Sequence, residues 1–490
     1  MLLLRARGKT PRCIHRPVVF SSHIFLFYFL ALALGLYYLA PRWGKHTVLT
    51  AVSYVFYGWW NPPFMLLMLI STLIDYYCGK MISAPGASTR KRKLGVMISV
   101  MVNLGILAFF KYTTFLVNSA NGLLASIGQD AMAVPPFFTN IILPLGISFY
   151  TFQSMSYSID LYRGHARPAD SLIDFACYVS MFPQLVAGPI VRYGSVADQL
   201  RSRAHTLQGF VLGVSRFNLG FAKKILLANP MGGIADVCFG AGEGALGCWT
   251  AWVGVTAYAF QIYFDFSAYS DMAIGLGRMF GFTFPENFDS PYKSKSITEF
   301  WRRWHISLSS FLRDYLYIPL GGNRKGAGRT YVNLMTVMFL GGLWHGASWN
   351  FVVWGLIHGG MLALERRFGK GSFFSRLPGF VKVALTFIIV LITWVFFRAE
   401  NFEVAWRYLG SMFGMGGNAE AASVLTAEVF HVSNLVYLGI CGFAAWACPR
   451  TVTMLEKLTL TRALVSLALL IYSVMVMFWQ GFNPFLYFQF

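Results

Sequence analysis

The chain has 490 residues, of which 56% are hydrophobic and only 12% charged, and its mean hydropathy is +0.55. That little charge cannot coat a soluble protein of this size, because a set of buried core helices would have almost nothing left to cover them. The formal charge of +20 does not indicate nucleic acid either: the basic residues sit in short segments between apolar runs, where the positive-inside bias puts them.

Residues 1–17 carry Arg5, Arg7, Lys9, Arg12 and Arg16 ahead of an apolar run from Ile24 to Ala40. The run is too long for a signal peptide and no small-residue cleavage site follows it, so it reads as a retained first span. Apolar runs follow at roughly 47–60, 64–82, 94–116, 141–162, 172–190, 207–240, 247–280, 330–364, 383–397, 431–447 and 463–479. A bilayer core needs about 20 such residues per helix. The reading is an all-α polytopic membrane protein with roughly ten to thirteen transmembrane or re-entrant helices. The run at 207–240 contains Lys223, Lys224, Asn229 and Pro230, which predicts a broken or re-entrant segment. The seven cysteines are scattered without CxxC or Cys/His metal spacing and read as small apolar residues.

Loop charge sets the orientation. Arg90-Lys91-Arg92-Lys93, the segment 282–329 and the segment 365–382 are basic, whereas 117–140 has no Lys or Arg and 398–430 has more acids than bases. The basic segments belong in the cytoplasm, where they would also attract an anionic substrate such as a nucleotide thioester. Counting back puts the N-terminus outside, against the basic residues 1–17. Either the short 47–60 run does not cross, or those residues are an extension.

Polar residues within such segments are functional suspects by default. From Ser296 to about Tyr317, Ser296 and Glu299 fit a capping box. Helical spacing then puts Trp301, Trp304, His305, Leu308, Phe311, Leu312 and Tyr315 on one face. The expectation is one amphipathic helix at the cytoplasmic interface, with His305 either packed or functional. In Leu340-Gly-Gly-Leu-Trp-His-Gly-Ala-Ser-Trp-Asn350, three glycines permit close approach of backbone or substrate. His345 thus lies at bilayer depth in a broken segment, and its imidazole suits general-base work. A helix-packing histidine is the alternative. Asp265, Ser267, Ser270 and Asp271 could line a polar cavity or form a hydrogen-bond network. No HExxH, G-x-S-x-G or P-loop pattern occurs.

These residues resemble the membrane-bound O-acyltransferase superfamily, and in particular its AlgI-type members, which serve alginate and related polysaccharide acetylation. The matching stretches are Phe182-Pro-Gln-Leu-Val-Ala-Gly-Pro-Ile-Val-Arg192, Tyr263-Phe-Asp-Phe-Ser-Ala-Tyr-Ser-Asp271, Glu299-Phe-Trp-Arg-Arg-Trp-His-Ile-Ser-Leu-Ser309, Leu343-Trp-His-Gly346 and Phe485-Leu-Tyr-Phe-Gln-Phe490. The resemblance implies a single membrane domain over 18–490, a ring of helices around a central tunnel, and His345 and His305 as active-site histidines. Trp344, Asn350, Trp304, Arg303, Asp265 and Ser267 are the candidates for lining that tunnel. Members commonly begin Met-Val-Phe-Ser-Ser, and Val18-Val-Phe-Ser-Ser22 matches this, which suggests that residues 1–17 are an extension or a misassigned start. Tyr487 in the tail 485–490 is a candidate acyl relay, with an interfacial anchor as its plainer role.

The expected activity is acetyl transfer in a bacterial inner membrane, with no bound cofactor and acetyl-CoA as donor. An exported polysaccharide is the acceptor, served by a periplasmic SGNH-type partner, and His345 either deprotonates the acceptor hydroxyl or transiently carries the acyl group. Cellulose or peptidoglycan acetylation, D-alanyl transfer of the DltB type, a transporter and an export scaffold are the competing functions.

Overall fold

The computed structural model describes residues 19–480 except 140, 186–187, 372 and 416–418. The basic residues 1–17, Tyr487 and the rest of the 485–490 tail lie outside the described residues. Every regular element described is helical.

Among the described residues, four helices are individually long and apolar enough to cross a bilayer: Pro63–Ser83, Thr89–Ser126, Gly379–Arg398 and Leu460–Trp479. Ala422–Val429 and Val432–Trp446, bent by 55°, make a further span if taken together. The 32-residue Cys248–Met279 helix carries Gln261, Asp265, Ser267, Ser270 and Asp271, all buried. A helix enclosed by other helices needs no lipid-compatible surface, so its composition can be polar where a lipid-facing helix must be greasy.

The basic segments gather at one end. Arg92 bonds the Tyr162 carbonyl, Arg163 bonds the Asp314 carbonyl and Arg192 pairs with the Asp314 carboxylate. Arg450 pairs with Asp289, and Glu365 accepts from the backbone amides of Ile297 and Thr298. Trp43, Trp59, Trp249, Trp349, Trp406 and Trp479 are exposed, as side chains of interfacial aromatic belts are.

Four runs depart from the sequence expectation. The 172–190 run folds back on itself: Leu172–Ser180 extends only about 14 Å, and Tyr178 then bonds the returning Val191 carbonyl at 2.9 Å. The 207–240 run is not broken. Leu207–Ala222 continues through a π-turn at Lys223–Ala228 into Asn229–Phe239, and the widened turn accommodates Pro230, whose ring would clash in a regular helix. The 330–364 run breaks beside His345 as expected, but reverses there into a hairpin of Gly326–His345 and Trp349–Phe368. Its helices approach so closely that a Cβ on Gly355 would meet the Met338 carbonyl oxygen at 2.3 Å.

The fourth is the expected amphipathic helix, which is two helices, Ile297–Arg303 and Ile306–Leu312, with a π-turn at Arg313–Tyr317. The break falls on His305 itself. Ser296 caps Glu299 as the box predicts, but the Glu299 carboxylate accepts from Lys295 rather than Ser296. Nor does the apolar face lie on an interface. Trp304, His305, Leu308 and Phe311 are buried, because a small cluster joins Leu308, Phe311 and Leu312 to Phe149, Phe152 and Trp344.

Candidate active site

Two folded-back segments meet at this cluster: the hairpin tip carrying His345 and the helix break carrying His305. His345 is the last residue of its helix. The final carbonyls of a helix lack intrahelical donors. Here Gly346 donates to Gly342 at 3.3 Å, Tyr112 donates to Leu343 at 2.8 Å, and the Lys111 ammonium donates to Trp344 and, at 3.2 Å, to His345. The Thr89–Ser126 helix thus fixes the tip from outside the hairpin.

His305 has φ +44°, one of two non-glycine residues in the left-handed region among those described. That conformation costs about 1–2 kcal/mol. The 287–289 segment compensates: Asp289 donates to the Arg303 carbonyl at 2.9 Å, and Ile306 donates to the Asn287 carbonyl at 2.9 Å. The Asn287 side-chain oxygen lies 3.1 Å from His305 Nδ1 and accepts from the Ser307 amide at 3.2 Å.

The two imidazole centroids are 6.4 Å apart, and both rings flank Trp344, at 5.8 Å for His305 and 5.0 Å for His345. Both histidines are buried, and no described residue bonds either Nε2. His358 is the instructive contrast. Its Nδ1 accepts from the Trp301 indole at 3.3 Å and its Nε2 meets the Thr393 hydroxyl at 3.1 Å. A histidine with both nitrogens engaged is a packing element. A buried nitrogen without a protein partner is available to a substrate proton.

The other candidates separate. Trp344 is in the site. Trp304 is buried one residue from His305 against Trp394 and Phe300. Asn350, beyond the tip, bonds the Ala399 carbonyl at 2.9 Å through Nδ2. Arg303 faces away, pairing with Glu299 at 2.8 Å and reaching the Asp289 carbonyl. Asp265 is held in a buried pair with Lys224 at 2.7 Å, which is a structural arrangement. Ser267 lines a cavity of about 290 Å³ together with Arg216, Lys223, Asn287, Arg450 and Thr451. This cavity touches the basic end, and Asn287 connects its wall to His305.

Sequence reasoning missed Lys111 and Asn287. A lysine inside the 94–116 apolar run was a visible signal, since a charge there demands a partner. Asn287 left none, being a loop residue whose role depends on what folds over it.

The family model for the membrane-bound O-acyltransferase family matches residues 47–405. The chain is 45% identical to "Probable alginate O-acetylase AlgI" of Pseudomonas putida over 96% of its own length and all of the relative's. It is 49% identical to the Pseudomonas aeruginosa protein of that name, over 81% of this chain and 75% of the relative. A "Peptidoglycan O-acetyltransferase" of Helicobacter pylori is 35% identical over 82% of this chain and 80% of the relative. With most of its length matched by the family model and by whole relatives, this chain belongs to the membrane-bound O-acyltransferase family and is an acyl-transferring enzyme of the AlgI type.

Proposed function

We propose that the protein takes an acetyl group from a cytoplasmic thioester, acetyl-CoA, and passes it across a bacterial inner membrane. An SGNH-type periplasmic partner then completes O-acetylation of an exported polysaccharide such as alginate. The observation that carries this reading is the pair of buried imidazoles, 6.4 Å apart, each with an Nε2 that no described residue bonds. The cavity of about 290 Å³ between the basic end and Asn287 supports donor entry from that side. The names of the relatives support acetyl and a cell-envelope polymer.

In this reaction His345 Nε2 takes the proton of the acceptor hydroxyl as its oxygen attacks the thioester carbonyl. The C–S bond then breaks, and the thiolate recovers that proton and leaves as free thiol. General-base assistance of this kind contributes roughly 10²–10⁴-fold. His305, on the other side of Trp344, accepts at Nε2 a hydrogen bond from the departing thiol.

The test uses the full chain in nanodiscs, with radiolabelled acetyl-CoA, the partner and a mannuronate oligomer. Wild type should release thiol and label the oligomer. His345→Ala, eluting like wild type, should do neither. Substantial labelling by that variant removes His345 from the mechanism. Labelling only from an aminoacylated carrier protein overturns the choice of donor.

A further inference from the structure

We infer that Asn287 is the positioning residue that sets the tautomer of His305, and so determines which ring nitrogen faces the reaction. This rests on the reading of His305 as one of the active pair.

The proton directions follow from groups that can act in only one way. The Ser307 backbone amide can only donate, and it points at the Asn287 side-chain oxygen at 3.2 Å, so that atom is the carbonyl and not the amide nitrogen. The Ile190 backbone amide donates to Ser307 Oγ at 2.9 Å. This leaves the Ser307 hydroxyl proton for Asn287 Oδ1, 2.8 Å away, in preference to His305 Nδ1 at 3.4 Å. Asn287 Nδ2 donates in turn to Ser270 Oγ at 3.1 Å. An amide carbonyl carries no proton, so the contact to His305 Nδ1 at 3.1 Å exists only if Nδ1 is the protonated nitrogen.

In the neutral ring Nε2 then holds the lone pair. That is the nitrogen no described residue bonds. His358 shows the opposite outcome, because an indole N–H pointing at its Nδ1 forces the proton onto Nε2.

Asn287 fixes the backbone as well as the ring. Its own carbonyl accepts from Ile306, the residue that follows the left-handed His305. The Phe266 ring stands edge-on to the imidazole at a centroid distance of 4.6 Å, which limits rotation of the ring. Asn287 therefore sets the proton, and it shares the backbone turn with Asp289 and the ring plane with Phe266. In the tautomer with the proton on Nε2, a bare Nδ1 would face a carbonyl oxygen, and the reactive side would present a donor where an acceptor is needed.

The experiment compares wild type with Asn287→Leu and Asn287→Asp, full-length in nanodiscs and ¹⁵N-labelled at histidine, with His305→Gln used to assign the His305 signals. Wild type should show His305 protonated at Nδ1 and bare at Nε2. Asn287→Leu should lose that pattern, with kcat falling roughly 10²-fold or more and the donor KM changing little, as expected when an orienting partner of a reacting group is lost. Asn287→Asp keeps an oxygen opposite Nδ1, and Ser270 can turn its proton toward the second oxygen, so it should restore both the pattern and most of kcat.

A wild-type His305 bare at Nδ1 overturns the inference, as does an unchanged ring pattern in Asn287→Leu. Equal losses in the Asp and Leu variants, tracking a fall in melting temperature, would reduce Asn287 to a structural residue. If wild type turns over no thioester, the acetyl-transfer reading fails, and the ring-nitrogen signals still decide the tautomer.

Discussion

Replacing Lys111 by Met should disable the enzyme without unfolding it. The last four carbonyls of the Gly326–His345 helix are satisfied by Gly346, Tyr112 and Lys111, and Lys111 serves two of them. A hydrogen bond to a charged group is worth about 1.5–3 kcal/mol, and a cation at a helix C-terminus adds about 0.3–1 kcal/mol. The cost of holding an ammonium inside the bundle offsets part of this. A net loss of about 2–3 kcal/mol in the ordering of the tip remains. If the reaction requires the ordered tip, at 1.36 kcal/mol per tenfold this is roughly a 30- to 150-fold loss in kcat. Tyr112→Phe removes one neutral bond, about 0.5–1.5 kcal/mol, and should cost roughly 2- to 12-fold. The assay is acetyl-CoA-dependent labelling in nanodiscs, with melting followed by tryptophan fluorescence. Lys111→Met turning over at close to the wild-type rate would refute the argument that the Thr89–Ser126 helix holds His345 in place.

The hairpin gives a second prediction. In Gly355→Ala the new Cβ meets the Met338 carbonyl oxygen at 2.3 Å, whereas at Gly360 nothing lies within 4 Å. The first should lower stability by about 1–3 kcal/mol and the second should not, and equal melting temperatures would contradict the close approach. The third concerns the pair Lys224 and Asp265, 2.7 Å apart with both side chains 2% exposed. Lys224→Met alone should cost about 3–5 kcal/mol because it strands a buried charge. Adding Asp265→Leu should recover most of that, and a double variant as unstable as the sum of its parts would argue against a simple pair.

The sequence by itself determined that the chain is a helical membrane protein, because too few charges exist to face water and the apolar runs have bilayer length. Its loop charges also named the end at which the basic segments gather, since that bias acts on each loop separately. His305 and His345 stood out because a polar group among apolar neighbours is locally visible. Tertiary structure decided the rest. The apolar spacing runs smoothly through His305 and argues for one helix. The break comes from the 287–289 segment, in which Asp289 bonds Arg303 before it and Asn287 bonds Ile306 and Ser307 after it. The return of the 172–190 segment and the hairpin at 330–364 are likewise set by what packs against them. Lys111 joined the site only when its helix met the tip of another more than 200 residues along the chain. Composition and periodicity are properties of neighbours in sequence. A hydrogen bond between distant segments exists only once the fold has brought its donor and acceptor within about 3 Å.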